Sequence, residues 1–216
     1  MKALRLGLMI LVFAGSLRAQ STIHLAEYLT NQAGDTLVFE NIAAQNLPSF
    51  SILFFQTEQI EGLIRRESDA QIRQEKLDKE SWKLLSMALN SRKINLEEAV
   101  ELFPINVQVN KNYTFSTNYT SSSTRGTLKI EAFTPGFESA QTPLRNFTDC
   151  LKLEIRLIFI ENKTPVRRIE LIEWYAKDFG LVKLIKNTYE NNTRTTVATS
   201  LQQATLGGKP LEGRKR

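Results

Sequence analysis

The sequence predicts a mainly β (α+β) fold: an antiparallel meander of about eight strands, covered on one face or end by one or two helices. Three observations carry this expectation. From 149 to 204, short segments of period two follow one another across turn residues. Upstream, 36–42, 50–60, 111–120 and 126–133 are rich in aromatic and β-branched residues, as strands are. Between these two groups, 67–103 lacks the two-residue period and is rich in helix formers.

The most regular strand is 149–160, DCLKLEIRLIFI. Leu151, Leu153, Ile155, Leu157 and Phe159 alternate with Lys152, Glu154, Arg156 and Ile158, the pattern of a half-buried strand. Glu161 to Pro165 supplies turn chemistry, and 166–176 returns as a second strand. Residues 181–189 form a third and the Thr-rich 194–204 a fourth, with Glu190, Asn191 and Asn192 turning the chain between them. Asp178-Phe179-Gly180 matches a protein-kinase tripeptide, but it falls between two strands, where the chain must reverse. Gly180 supplies positive φ at no steric cost, and Asp178 tolerates it better than most residues. A kinase also needs a Gly-rich loop and a catalytic loop with Asp and Asn, and the sequence has neither. The tripeptide therefore reads as a turn.

In the upstream group, Tyr113, Phe115 and Tyr119 share one parity of 111–120 and give that strand an aromatic face. The segments 36–42 and 50–60 flank the breakers Asn46 and Pro48. Within 67–90, Asp69/Arg73 and Glu75/Lys79 stand at i,i+4, and Leu77, Trp82, Leu85 and Leu89 offer an apolar stripe, so a helix is expected there. A second, over 95–102, begins at Asn95 as N-cap with Glu98 completing a capping box, and ends before Pro104. The acids Glu97, Glu98 and Glu101 then complement a helix dipole rather than form a catalytic cluster.

The amino terminus resembles an export leader. Lys2 and Arg5 precede an apolar run from Leu6 to Leu17, and Ala19 is a small residue suited to the cut. The run is short of the roughly 20 apolar residues of a membrane span, and no later segment is apolar enough to be one. The expected organisation is a signal peptide at 1–19, one β-rich domain at 20–206 with the helical insert 67–103, and a disordered basic tail at 207–216, where Gly207, Gly208 and Pro210 break structure. The mature protein is expected to be exported, to the periplasm or beyond.

Charge excludes one class of partner. The formal net charge is +5. Residues 1–20 carry Lys2, Arg5 and Arg18, and the tail carries four basic groups and Glu212, each segment contributing +3, so the body stands near −1. That balance gives no clustered basic surface for nucleic acid. The single cysteine, Cys150, has no intramolecular partner; it opens a strand, which favours a buried thiol over an intermolecular link.

Catalytic chemistry is narrowed by elimination. The only histidine, His24, lies near the expected mature terminus, so neither a Ser-His-Asp nor a Cys-His arrangement has a well-placed base. One His and one Cys cannot build a zinc site, and no P-loop or dinucleotide turn occurs. No carboxylate pair is marked as glycosidic. No enzyme and no cofactor is expected. Five Asn-x-Ser/Thr sequons, at Asn112, Asn118, Asn146, Asn162 and Asn191, read more simply as the Asn and Thr of exported β proteins than as glycan acceptors.

Three segments together carry a resemblance: YLTNQAGDTLVFE at 28–40, FPINVQVNKNYTF at 103–115, and NFTDCLKLEIRL followed by WYAKDFGLVKL. In order and spacing over most of 28–186 they resemble bacterial exported β-rich domains related to the TapB family. Asn110 and Asp178 stand where that group has glycine, and both residue types tolerate the left-handed conformation. The resemblance implies a single strongly curved antiparallel sheet, an open half-barrel similar to periplasmic lipoprotein carriers, and no catalytic residues.

Two functions fit these readings. One is a binding module whose concave face holds an apolar or lipid-like ligand, with Tyr113, Phe115, Trp174, Tyr175 and Phe179 as the residues facing it. The other is a structural or interaction protein of the cell envelope whose core is filled and whose partner is an envelope protein. A cavity behind the aromatics, or a close-packed interior in its place, separates the two. The sequence leaves the oligomeric state open.

Overall fold

The computed structural model describes residues 22–29, 33–42, 50–55, 62–68, 71–90, 92–122 and 124–211. The expected leader and its Ala19 cut lie outside the described residues. In chain order the strands are β1 (Thr22–His24), β2 (Thr36–Asn41), β3 (Phe50–Phe55), β4 (Leu63–Ser68), β5 (Gln71–Leu77), β6 (Ser81–Leu89), β7 (Arg92–Leu96), β8 (Val100–Pro104), β9 (Asn106–Gln108), β10 (Asn112–Ser121), β11 (Thr124–Gln141), β12 (Asn146–Glu161), β13 (Thr164–Ala176), β14 (Gly180–Glu190), β15 (Thr193–Leu206) and β16 (Lys209–Leu211). Among the described residues there is no α-helix; a 3-10 turn spans Leu25–Glu27.

Twelve of these strands close on themselves. The order β14-β13-β12-β11-β10-β7-β6-β5-β4-β3-β2-β15 is completed by pairing of β15 back to β14, from Lys183↔Ser200 to Glu190↔Thr193. Every neighbouring pair is antiparallel. Closure removes the free edges that an open sheet would expose. Four of the described strands lie off the ring: β1 and β9 pair with each other, β8 pairs with β6, and β16 extends β15, so residues 209–211, assigned by composition to the tail, pair with 204–206.

This corrects the expected fold class. The sheet is a closed twelve-stranded barrel, not an open half-barrel of about eight strands, and the expected helices at 67–90 and 95–102 are strands. Residues 67–90 hold the end of β4, all of β5 and all of β6, and 95–102 divides between β7 and β8. The i,i+4 spacing and helix formers of 67–90 were outweighed by cross-strand pairing on both sides, a tertiary choice that overrides local propensity. Asp78 makes the reversal between β5 and β6: its Oδ1 accepts from the backbone N–H groups of Glu80 and Ser81, both at 2.9 Å. Without a helix at 95–102, Glu97 and Glu98 sit on a turn and have no dipole to complement; Glu97 instead accepts from Asn118 Nδ2 at 2.8 Å.

The inner wall is apolar for most of its area. Leu37, Phe39, Ile64, Leu84, Leu128, Ile130, Leu153, Leu157 and Leu201 are all buried. Charged residues occupy the opposite parity outside: Arg156 of β12 meets Glu131 of β11 at 2.8 Å and Glu170 of β13 at 3.3 Å. A barrel of twelve strands encloses more space than its own side chains fill unless it is flattened. Here the opposite walls touch. The segment 22–29 is anchored to the barrel: β1 pairs with β9, the Leu25 N–H donates to Ile105 O at 2.8 Å, and Leu25 and Leu29 are buried. That segment also receives the β13–β14 turn: the Asp178 N–H donates to Glu27 O at 2.7 Å. Asp178 and Gly180 have φ of 57° and 101°, the left-handed values such a reversal requires.

Candidate functional site

The inner face of β4 and β5 breaks the apolar pattern. Inward parity places Ile64 and Arg66 on β4, and Arg73, Glu75 and Leu77 on β5, with Arg66 and Arg73 directly paired across the two strands. Like charges so placed repel unless anions intervene. Two do. Glu75 comes from β5 itself, and Glu173 from β13, six strands away in either direction around the ring. None of the four side chains is more than 4% exposed.

The contacts are mutual. Arg66 Nε donates to Glu75 Oε2 at 2.9 Å, and Trp82 Nε1 donates to the same oxygen at 3.0 Å. Arg66 Nη2 donates to the Tyr175 hydroxyl at 2.6 Å, and that hydroxyl donates to Glu173 Oε2, also at 2.6 Å. Arg73 Nη2 donates to Glu173 Oε1 at 3.3 Å and lies 2.9 Å from Glu75 Oε1. The Arg66 guanidinium stands over the ring of Trp82 at 5.3 Å and that of Tyr175 at 5.9 Å. A cluster from β4, β5, β6 and β13 thus holds the two sides of the barrel together.

The electrostatics follow from burial. Burial opposes the charge on Arg66, but Glu75, Tyr175 and Glu173 outweigh it and hold the guanidinium well above its usual range. Burial raises the Tyr175 hydroxyl far above the ordinary phenol value, with Glu173 and Glu75 adding to it against the pull of Arg66, so it keeps its proton and donates. On β14, burial lowers the Lys186 ammonium, and Arg73 lowers it further. Its Nζ donates to Gln71 Oε1 at 3.3 Å.

The sequence-predicted ligand-facing residues fall in separate places. Tyr175 belongs to the buried cluster. Trp174, next to it on β13, points the other way: its Nε1 donates to Glu138 at 3.0 Å, with the amines of Lys183 and Lys152 at 5.0 and 5.5 Å from its ring. Tyr113 packs edge-on against Phe103, and its hydroxyl accepts from the Gln108 N–H at 3.0 Å. Phe115 is partly buried against the core. Phe179 packs against Phe147 at 4.9 Å, with the Arg145 guanidinium near both rings. The structure does not bring the five together. The five sequon asparagines are all exposed, and Cys150 is a buried free thiol, pushed up to about 11 by burial.

The charged cluster was missed by sequence reasoning, though a signal existed. Glu173 interrupts the apolar parity Ile169, Leu171, Glu173, Tyr175 of an otherwise plain strand. On β5, Arg73 and Glu75 occupy the inward parity themselves, and this hid the alternation.

No protein-family model matches the chain, and no curated protein matches it by sequence. Two crystal structures resemble it. One is a candidate exported protein with a YmcC-like fold from Bacteroides fragilis, with TM-score 0.44 and 11% identity, covering 83% of this chain and 99% of that one. The other is a candidate lipoprotein from Parabacteroides distasonis, with TM-score 0.42 and 13% identity, covering 82% and 97%. Neither gives this chain a family.

Proposed function

We propose that this chain is an exported, non-enzymatic barrel protein of the cell envelope that fills its own lumen and works through its outer surface, binding an envelope partner there. The observation that carries this is the bonding of opposite walls through the lumen by Arg66, Arg73, Glu75, Glu173 and Tyr175. An acyl chain threaded between those walls would have to break buried ion pairs, at a cost of several kcal/mol for each charge left without its partner. The cluster also supports a non-enzymatic reading, since both carboxylates are already committed to guanidiniums and tyrosine. Export is supported by the leader-like pattern at 1–19. The wall polarity, apolar within and charged without, is the reverse of a lipid-facing barrel and suits a surface in water.

The competing reading is the apolar-ligand module, in which Tyr113, Phe115, Trp174, Tyr175 and Phe179 face a lipid-like molecule. Native mass spectrometry of the protein purified from its host's envelope fraction separates the two. A bare protein mass is expected. A lipid-sized mass lost on denaturation would overturn the filled-lumen reading.

A further inference from the structure

Beside the charge cluster, between β5 and the β14–β15 seam, lies a cavity of about 50 Å³ lined by Arg66, Gln71, Arg73, Leu171, Leu184, Lys186, Val197 and Thr199. Three of these are cations, and no carboxylate lines it. Glu75 and Glu173, which bond the two guanidiniums, are not among the lining residues, so three positive groups meet two negative ones there. Arg66 Nη1, Arg73 Nη1 and Thr199 Oγ1 have no hydrogen-bond partner, although their residues are only 2%, 4% and 3% exposed. Arg66 Nη1 stands 3.7 Å from Glu173 Oε1, within ion-pair reach but beyond a hydrogen bond. Buried donors left unpaired are costly, roughly 1–3 kcal/mol each and more when charged, and native structures rarely keep three around one space. The Lys186 ammonium bonds a neutral carbonyl oxygen, that of Gln71; burial first, and then the neighbouring Arg73, lower its affinity for a proton.

We propose that this cavity binds one small anion, held by the free N–H groups of Arg66 and Arg73, the Lys186 ammonium and the Thr199 hydroxyl. Since a single water needs at least roughly 10–15 Å³, the space of about 50 Å³ has room for a few waters, a halide with a companion water, or one compact oxyanion. Access is past Gln71, Lys186 and Val197, which are half-buried where the rest of the lining is buried. One unpartnered guanidinium nitrogen from each arginine, with the threonine hydroxyl, makes a charged donor set suited to a small anion. The site is independent of the outer-surface function proposed above.

The test uses crystals of the protein soaked in sodium bromide, with diffraction at the bromine edge. An anomalous peak inside the cavity, in contact with Arg66, Arg73 or Thr199, is expected. Density ending within the cavity marks a free anion; density continuing past Lys186 and Val197 marks the anionic head of a larger molecule. Surface bromides alone, with waters filling the cavity, would overturn the proposal. In solution, chloride is exchanged for gluconate at constant ionic strength, gluconate being too large to enter. Melting temperature is expected to rise with chloride and to saturate. Thr199→Val removes only the unpartnered hydroxyl, and Lys186→Met only the ammonium; each is expected to weaken the chloride midpoint by about tenfold. Should Lys186→Met fail to fold, Thr199→Val decides alone: a variant more stable than the parent, with an unchanged chloride response, would show that the donors are merely orphaned.

Discussion

Arg73 of β5 reaches Glu173 of β13 across the barrel at 3.3 Å, joining two strands that lie on opposite sides of the twelve-stranded ring. The pair bonds two walls directly across the lumen.

Removing one partner should be worse than removing both. Glu173→Leu leaves Arg66 and Arg73 with Glu75 alone, and a loss of about 3–5 kcal/mol in unfolding free energy is expected. Adding Arg73→Met to it should recover part of that loss, because a buried charge is no longer stranded. Urea unfolding of the two single variants and the double variant measures the coupling; strictly additive losses would show that the pair is not in contact.

Gly126 is required by close approach. A Cβ there would lie 2.5 Å from Ile160 O and 2.8 Å from the Tyr119 ring, which stacks over the glycine from the paired position on β10. Gly126→Ala should cost about 1–3 kcal/mol, read from the urea midpoint. Gly207→Ala serves as the contrast: no atom lies within 4 Å of a Cβ there, so its cost is the strain of its φ of 57° alone.

Cys150 should be silent to thiol reagents in the native state. Its thiol is buried and pushed up to about 11, so thiolate is scarce at pH 8 and access is closed. Iodoacetamide at pH 8 should leave the folded protein unmodified and label it fully in guanidinium chloride. Between the ordinary thiol value near 9 and this raised value, the folded state holds the proton that the unfolded state releases, so this group's contribution to stability falls as pH rises.

The outer wall gives an acid-side prediction. Lys152, bonded at 2.9 Å, and then the Trp174 indole hold the Glu138 carboxyl below its ordinary value. A depressed carboxyl stabilises the fold above the unfolded value of about 4.5 and loses that contribution as pH falls through the folded one. Glu138 is half exposed, so the amount should be under about 1 kcal/mol. Glu138→Gln should lower stability at pH 7 and leave it little changed at pH 3, with Trp174 fluorescence following the same transition.

Eight of the ring strands were legible, some from alternation of apolar and charged residues, as along 149–160, and others from aromatic and β-branched composition, as along 111–120. Four were not, β4 to β7: in β6 a bulge at Leu85 shifts the buried parity from Trp82 and Leu84 to Met87 and Leu89, and on β4 and β5 the inner wall carries Arg66, Arg73 and Glu75. Polar residues on both faces erase the period of two, and what remains in 67–90 looks like helix-forming composition. The partners that make those charges tolerable, Glu173 and Tyr175, lie about a hundred residues away, and no local pattern announces them. Closure was equally hidden, because the pairing of β2 with β15 joins the two ends of the chain. The turn at Asp178 could be read directly, since Asp and Gly suit the positive φ it adopts.

The central claim is that the lumen is occupied by the protein's own side chains. It is tested most directly by nuclear Overhauser contacts in protein purified from its native host. The Trp82 and Tyr175 rings, on different sides of the barrel, are edge-to-face with centroids 6.0 Å apart. Contacts between their ring protons are predicted. Their absence, with contacts from either ring to the methylene protons of a bound acyl chain, would contradict the account.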